Sequence, residues 1–82
     1  MTFEKIQASI QYVLDDGTTP RIVRDTLTRM LTYLKTSSDD NQRRIATLLS
    51  QLEDLCADVN IPPYVRTQLY SISGQLETIG RE

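Results

Sequence analysis

Apolar side chains recur at intervals of three and four residues in four separate stretches of this sequence. Such spacing places them along one face of an α-helix, because a helix makes one turn every 3.6 residues. The four series are Phe3, Ile6, Ile10 and Val13; Val23, Leu27, Met30 and Leu34; Ile45, Leu48, Leu49, Leu52, Leu55 and Cys56; and Val65, Leu69, Ile72, Leu76 and Ile79. No stretch shows the sustained two-residue alternation of a strand, so the sequence predicts four amphipathic helices and no sheet.

Short breaks rich in turn-forming residues separate these series. Gly17 is expected to end the first helix in a left-handed conformation. Thr19 and Pro20 predict the N-terminal cap and the first residue of the second helix. A serine of the 37–40 segment is expected to cap the third helix, which should end near Asp58.

The breaks are short enough to make consecutive helices antiparallel. A chain of 82 residues is long enough for one small domain and too short for two. We therefore predict an all-α fold, an antiparallel four-helix bundle, as a single domain over residues 1–82. Residues 1–37 would form the first of two similar helical hairpins and residues 38–82 the second.

The two predicted hairpins also share polar residues at an offset of 42 positions. The matched pairs are Asp16 with Asp58, Pro20 with Pro62, and Arg24 with Arg66. Helical periodicity explains matching apolar positions, but it does not explain why these three residue types coincide. We expect the aspartates to accept backbone N–H groups at the turns, and each arginine to bond the turn of its own hairpin. The alternatives are a paired acidic site for the aspartates, and binding of a phosphate or an acidic partner for the arginines.

The repeated pattern Asp-x-x-x-Pro-x-x-Val-Arg-x-x-Leu resembles the turn of a HEAT-type helical hairpin, whose repeats span about 40–47 residues. Two units are too few for a HEAT stack, which generally needs at least about three repeats. Closing the two apolar faces onto each other gives a bundle, and pairing between chains is a second route.

Longer segments resemble a family of small uncharacterised archaeal proteins. The similar segments are 58–62, 66–70 and 75–77 for its C-terminal signature, and 18–20 with Arg24 for its first half. The resemblance implies a compact four-helix fold and an archaeal cytoplasmic source, and it supplies no activity and no catalytic residue. The chain departs from the family pattern at Pro63, and at Tyr70 where the pattern has Trp.

The residue types that perform most enzyme chemistry are scarce. The sequence has no histidine and one cysteine, which removes the usual general base, the catalytic triads and the common zinc sites. Cys56 lies on an apolar stripe and is interpreted as a small core residue. We predict no enzyme activity, cofactor, metal or small-molecule substrate. No apolar run approaches the roughly 20 residues of a membrane span, so we predict a cytoplasmic protein.

Five residues are the candidates for binding a partner. They are Arg21, Ile22, Arg29, Tyr33 and Tyr64. Exposed apolar positions on the second and fourth helices suggest a protein-interaction or scaffold module that binds a protein partner or forms a homodimer. The alternative is a nucleic-acid-associated accessory protein that uses the basic helix 20–36, although the net charge of -2 and an expected Asp25–Arg29 pair oppose it.

Overall fold

A computed structural model describes residues 3–81 of the chain. Four α-helices follow one another in this range: α1 (Glu4–Asp15), α2 (Arg21–Thr36), α3 (Asn41–Cys56) and α4 (Pro63–Gly80). The described residues include no β-strand, and the predicted all-α fold is confirmed. Over the same residues, none of the helices combines the length and the apolar content needed to cross a membrane.

The four helices form a closed ring around one core. Each helix packs on its neighbours in sequence, and α1 also packs on α4. Because the connections are short, the helices alternate in direction, which gives an up-down-up-down bundle with dimensions of 32 × 21 × 18 Å. The α1–α2 and α3–α4 connections therefore lie at one end of the bundle, here named the turn end, and the α2–α3 connection lies at the other.

The core takes one apolar face from every helix. Its buried side chains are Ile6, Ile10, Val13, Val23, Leu27, Met30, Leu34, Ile45, Leu48, Leu52, Leu55, Ile61, Val65, Leu69, Ile72, Leu76 and Ile79. Phe3, Leu49 and Cys56 belong to the predicted stripes but are only partly buried at the edge of this core. Burial of a large aliphatic side chain stabilises a fold by about 1.5–3 kcal/mol. Packing of these apolar faces therefore supplies most of the stability of the four helices.

The start of α2 differs from the sequence prediction. The helix begins at Arg21, and Pro20 is its N-cap, without a side-chain capping bond. Thr19 does not cap α2, because its buried hydroxyl donates to the Val13 carbonyl at the end of α1 (2.7 Å). The terminal carbonyls of a helix lack backbone partners, so a nearby hydroxyl bonds them readily.

Three further helix ends differ from the prediction. Asp40 caps α3 in place of a serine, since its carboxylate accepts the Arg43 N–H (2.9 Å). Gly17 has no left-handed conformation, as no glycine among residues 3–81 has a positive φ. Instead α1 ends at Asp15, and the extended backbone of its C-cap Asp16 (φ −78°, ψ 114°) redirects the chain. The third helix ends at Cys56, slightly before the predicted position.

Candidate interaction surfaces

Arg24 closes the first hairpin turn from within α2. Its guanidinium donates to the backbone carbonyls of Leu14 (2.7 Å) and Asp16 (2.8 Å), where α1 ends. These carbonyls have no partner within the helix and form the negative end of its dipole, so a cation is favourable there. The side chain of Arg24 is therefore committed to holding α2 against the end of α1.

Arg66 closes the second turn with equivalent bonds, 42 residues later. Its guanidinium donates to the carbonyl of Cys56, to that of Asp58 (3.0 Å) and to that of Ile61 (3.3 Å). The first two acceptors correspond to those of Arg24 in the first hairpin. The additional bond to Ile61 makes this turn the more extensively bonded of the two.

The two turn aspartates use their carboxylates locally. Asp16 accepts the backbone N–H of Thr18 (2.9 Å) and its hydroxyl (2.8 Å), and Asp58 accepts the N–H of Asn60 (2.9 Å). The backbone bond from Thr18, followed by its hydroxyl bond, holds the pKa of Asp16 below its usual value. In both turns, the arginine donates to the backbone carbonyl of the aspartate and not to its carboxylate.

A third arginine has the same function and was missed by the sequence reasoning. Arg44 donates to the Ser37 carbonyl at the end of α2 (2.7 Å), and its guanidinium lies 5.9 Å from the centre of the Phe3 ring. Arg44 follows the N-cap Asp40 by four residues, as the other two arginines follow theirs. This common position is the signal in the sequence that identifies all three.

Three of the predicted partner-binding residues, Ile22, Arg29 and Tyr33, lie along the groove between α2 and α3. Ile22 and Arg29 line a cavity of about 340 Å³ whose opposite wall includes Asp54 of α3 and Asp58 of the α3–α4 connection. Because two carboxylates share this cavity with Arg29, its positive charge does not stand alone on the surface. The groove is therefore a mixed-charge surface.

Tyr33 serves contacts within the chain. Its hydroxyl donates to a carboxylate oxygen of Asp39 (2.7 Å) and lies 3.4 Å from the Thr47 hydroxyl. The half-buried ring packs against the core. Tyr33 thus ties α2 to the following loop and to α3.

Arg21 and Asp25 are not among the residues that line this cavity. The Arg21 Nε is 3.9 Å from an Asp25 carboxylate oxygen, and both side chains are exposed. The expectation that Asp25 pairs with Arg29 was wrong. Arg29 turns into the groove and donates instead to the Thr26 hydroxyl (3.4 Å).

Tyr64 links the two hairpins at the turn end. Its hydroxyl is 2.9 Å from the Thr18 hydroxyl. Thr18 already donates its own proton to Asp16, so Tyr64 is the donor in this bond. The ring remains half-exposed, which leaves its apolar surface accessible at the start of α4.

The outer surface of α4, of which the sequence reasoning singled out Tyr64 alone, has few charges. We name it the α4 face and define it by the exposed residues Tyr64, Thr67, Tyr70, Ser71, Gly74 and Thr78. Glu77 is the only charged side chain exposed on this helix, and Tyr12 of α1, which is 72% exposed, borders the face. The groove between α1 and α4 contains a cavity of about 400 Å³, with Lys5 as its single charged lining residue. The sequence feature that could have identified this face is the scarcity of charged residues between the core positions of the fourth apolar series.

Among residues 3–81, no three His, Cys, Asp or Glu side chains lie close enough together to hold a metal ion. Burial raises the pKa of the Cys56 thiol, an effect that the nearby positive charge of Arg66 only partly offsets. Since the thiolate is the nucleophilic form, Cys56 is a weak nucleophile at neutral pH.

Comparison with known proteins finds similarity along nearly the whole chain. The model of an uncharacterised protein family, UPF0147, matches residues 1–79. A UPF0147 protein of Archaeoglobus fulgidus is 34% identical over 79 residues, covering 96% of this chain and 90% of that protein. One of Methanothermobacter thermautotrophicus is 28% identical over 78 residues, covering 95% and 76%. A crystal structure of a protein of this family from Thermoplasma acidophilum has a TM-score of 0.85 and 30% identity, covering 93% of this chain and 89% of that one.

Proposed function

Because this chain belongs to UPF0147, a family without an assigned activity, we propose a function from its own surface: a non-catalytic module that binds protein through the α4 face. The observation that carries this proposal is the combination of exposed tyrosines and scarce charge on that face. Tyr64 and Tyr70 are 49% and 57% exposed, and Tyr12 lies alongside. Protein interfaces are enriched in tyrosine and depleted in charged residues at their centres.

The outer surfaces of α2 and α3 are different in kind. The exposed charged residues are Arg21, Asp25, Arg29 and Lys35 on α2, and Arg43, Glu53 and Asp54 on α3. Burying an unpaired charge against another protein is expensive, so these surfaces favour contact with water. This contrast supports the α4 face as the binding surface.

The environment of the basic residues on α2 supports protein binding over nucleic-acid binding. Arg24 bonds backbone carbonyls, Arg21 lies beside Asp25, and Arg29 shares its cavity with carboxylates. Nucleic-acid affinity comes chiefly from cations that are free to neutralise phosphates. On α2, Lys35 is the basic residue that remains available to neutralise a phosphate.

The same proposal includes a cytoplasmic location and a two-unit construction. Cys56 is the sole cysteine of the sequence and is a free thiol, which is typical of proteins in reducing compartments. The recurrence of the turn bonds of Arg24 at Arg66 supports two copies of one hairpin unit as the rigid scaffold.

Site-specific photo-crosslinking tests the binding function. A benzophenone amino acid would replace Tyr70 on the α4 face or, as the control, Ser50 on the exposed surface of α3. Each purified variant would be irradiated in an extract of host cells, with and without nuclease. We expect protein adducts from position 70 that persist after nuclease treatment and are absent from position 50. Equal labelling from both positions, no adduct from position 70, or adducts lost with nuclease would refute the proposal.

A further inference from the structure

We propose that the occupant of the α4 face is a second copy of this chain, with the two α4 helices packed antiparallel about a two-fold axis. This inference rests on the proposed function, since it assigns a partner to the same surface. The axis would pass between Ser71 and Gly74, near the middle of the helix.

The α4 face is complementary to itself in this arrangement. When Ser71 of one copy lies opposite Gly74 of the other, Thr67 lies opposite Thr78 in the same register. Small side chains then meet small side chains along the centre of the contact, which allows two helices to approach closely. A two-fold interface requires this self-complementarity, because both subunits contribute the same patch.

The charges in this register are also compatible with self-association. The two copies of Glu77 would be nine positions apart in this register, or roughly 14 Å along the helix. This separation exceeds the Debye length of about 8 Å at physiological ionic strength, so their repulsion is largely screened. Arg81 would lie opposite the exposed ring of Tyr64, where a cation–π contact is favourable. At the rim, the flexible stem of Lys5 can keep its ammonium group in water.

Gly74 provides an independent argument for a close neighbour. A β-carbon at this position would meet nothing within 4 Å, so no contact inside the chain requires glycine there. Glycine nevertheless weakens the interior of a helix relative to alanine. A second backbone packed against Gly74 would supply the reason that the single chain lacks.

The size of this surface suits a dimer. A standard interface takes about 800 Å² from each partner. That area is roughly one sixth of the protein's 5056 Å² of accessible surface, which is about the share of one side of a four-sided bundle. The α4 helix has 18 residues and therefore extends for about 27 Å along that side.

Sedimentation velocity of the purified protein tests the dimer, with a matched pair of charge substitutions. Between about 1 μM and about 1 mM protein in physiological salt, we expect the wild type to reach twice the 9.4 kDa mass of one chain. Ser71→Arg, on the α4 face, is expected to weaken association at least tenfold, whereas Ser50→Arg, on α3, should leave it unchanged. Circular dichroism would verify folding, and Thr67→Arg provides a second disruption of the same face.

Each outcome decides the proposal. A wild-type protein that stays monomeric at the highest concentration would overturn it, as would a dimer that folded Ser71→Arg and Thr67→Arg variants leave intact. Equal loss of association in Ser50→Arg would place the contact elsewhere and overturn it as well. A monomer that still yields adducts to a different protein from position 70 would refute the homodimer while leaving the proposed binding function in place.

Discussion

Replacing Arg66 with alanine should destabilise the protein far more than removing an exposed arginine. The variant leaves the carbonyls of Cys56, Asp58 and Ile61 without their shared charged donor. A hydrogen bond to a charged group contributes about 1.5–3 kcal/mol. Water can reach this half-buried site and replace some of the lost hydrogen bonds. We therefore expect the free energy of unfolding to fall by about 2–3 kcal/mol, which is less than the sum of three such bonds.

Thermal unfolding followed by circular dichroism measures this effect. For a domain of this size, each kcal/mol lowers the melting temperature by about 4–8 °C, so Arg66→Ala should lower it by about 10–20 °C. Arg66→Lys should fall between wild type and alanine, because a lysine ammonium cannot reproduce the fork of a guanidinium. Arg21→Ala is the control, since its exposed pair with Asp25 contributes at most about 1 kcal/mol. Equal melting temperatures for Arg66→Ala and Arg21→Ala would refute the reasoning.

Three further predictions concern single groups. Tyr33→Phe removes a bond to Asp39 and should cost about 0.5–1.5 kcal/mol in urea unfolding; unchanged stability would contradict its linking role. The lowered pKa of Asp16 means that its stabilising effect is present above the ordinary value of 3.8 and lost as the pH falls below it. As the pH is lowered through this range, Asp16→Asn should therefore lose less of its stability than the wild type does. Parallel curves of stability against pH for the two proteins would contradict this prediction. Cys56, whose pKa is raised by burial, should react with a thiol reagent at neutral pH more slowly than free cysteine, and an equal rate would disprove its protection.

The helices could be predicted because their apolar periods reflect burial directly. The ends of the helices were harder, since several polar groups compete for the same backbone partners. Thr19 had the sequence signature of a cap for α2, yet the Val13 carbonyl at the end of α1 was the nearer partner for its hydroxyl. Asp40 and a preceding serine were both chemically suitable caps for α3, and only the folded backbone chooses between them.

The candidate surfaces were harder again, because they depend on pairs of helices. Helical spacing placed Ile22, Arg29 and Tyr33 on one side of α2, but it could not show that α3 brings Asp54 opposite Arg29. It also could not show that the Tyr33 hydroxyl reaches Asp39. Side-chain partners across a groove follow from the relative rotation of two helices, which periodicity within one helix does not determine.

Coupling between folding and dimer formation gives one more test. A partner that binds only the folded chain stabilises it by mass action, so the melting temperature should rise with protein concentration. A tenfold increase changes the free energy by about 1.4 kcal/mol per dimer, or about 0.7 kcal/mol per chain. The corresponding rise is about 3–6 °C for the wild type and for Ser50→Arg, and close to zero for Ser71→Arg. A melting temperature independent of concentration in all three proteins would contradict dimerisation through α4, because Ser71 lies on the proposed contact and Ser50 lies on α3.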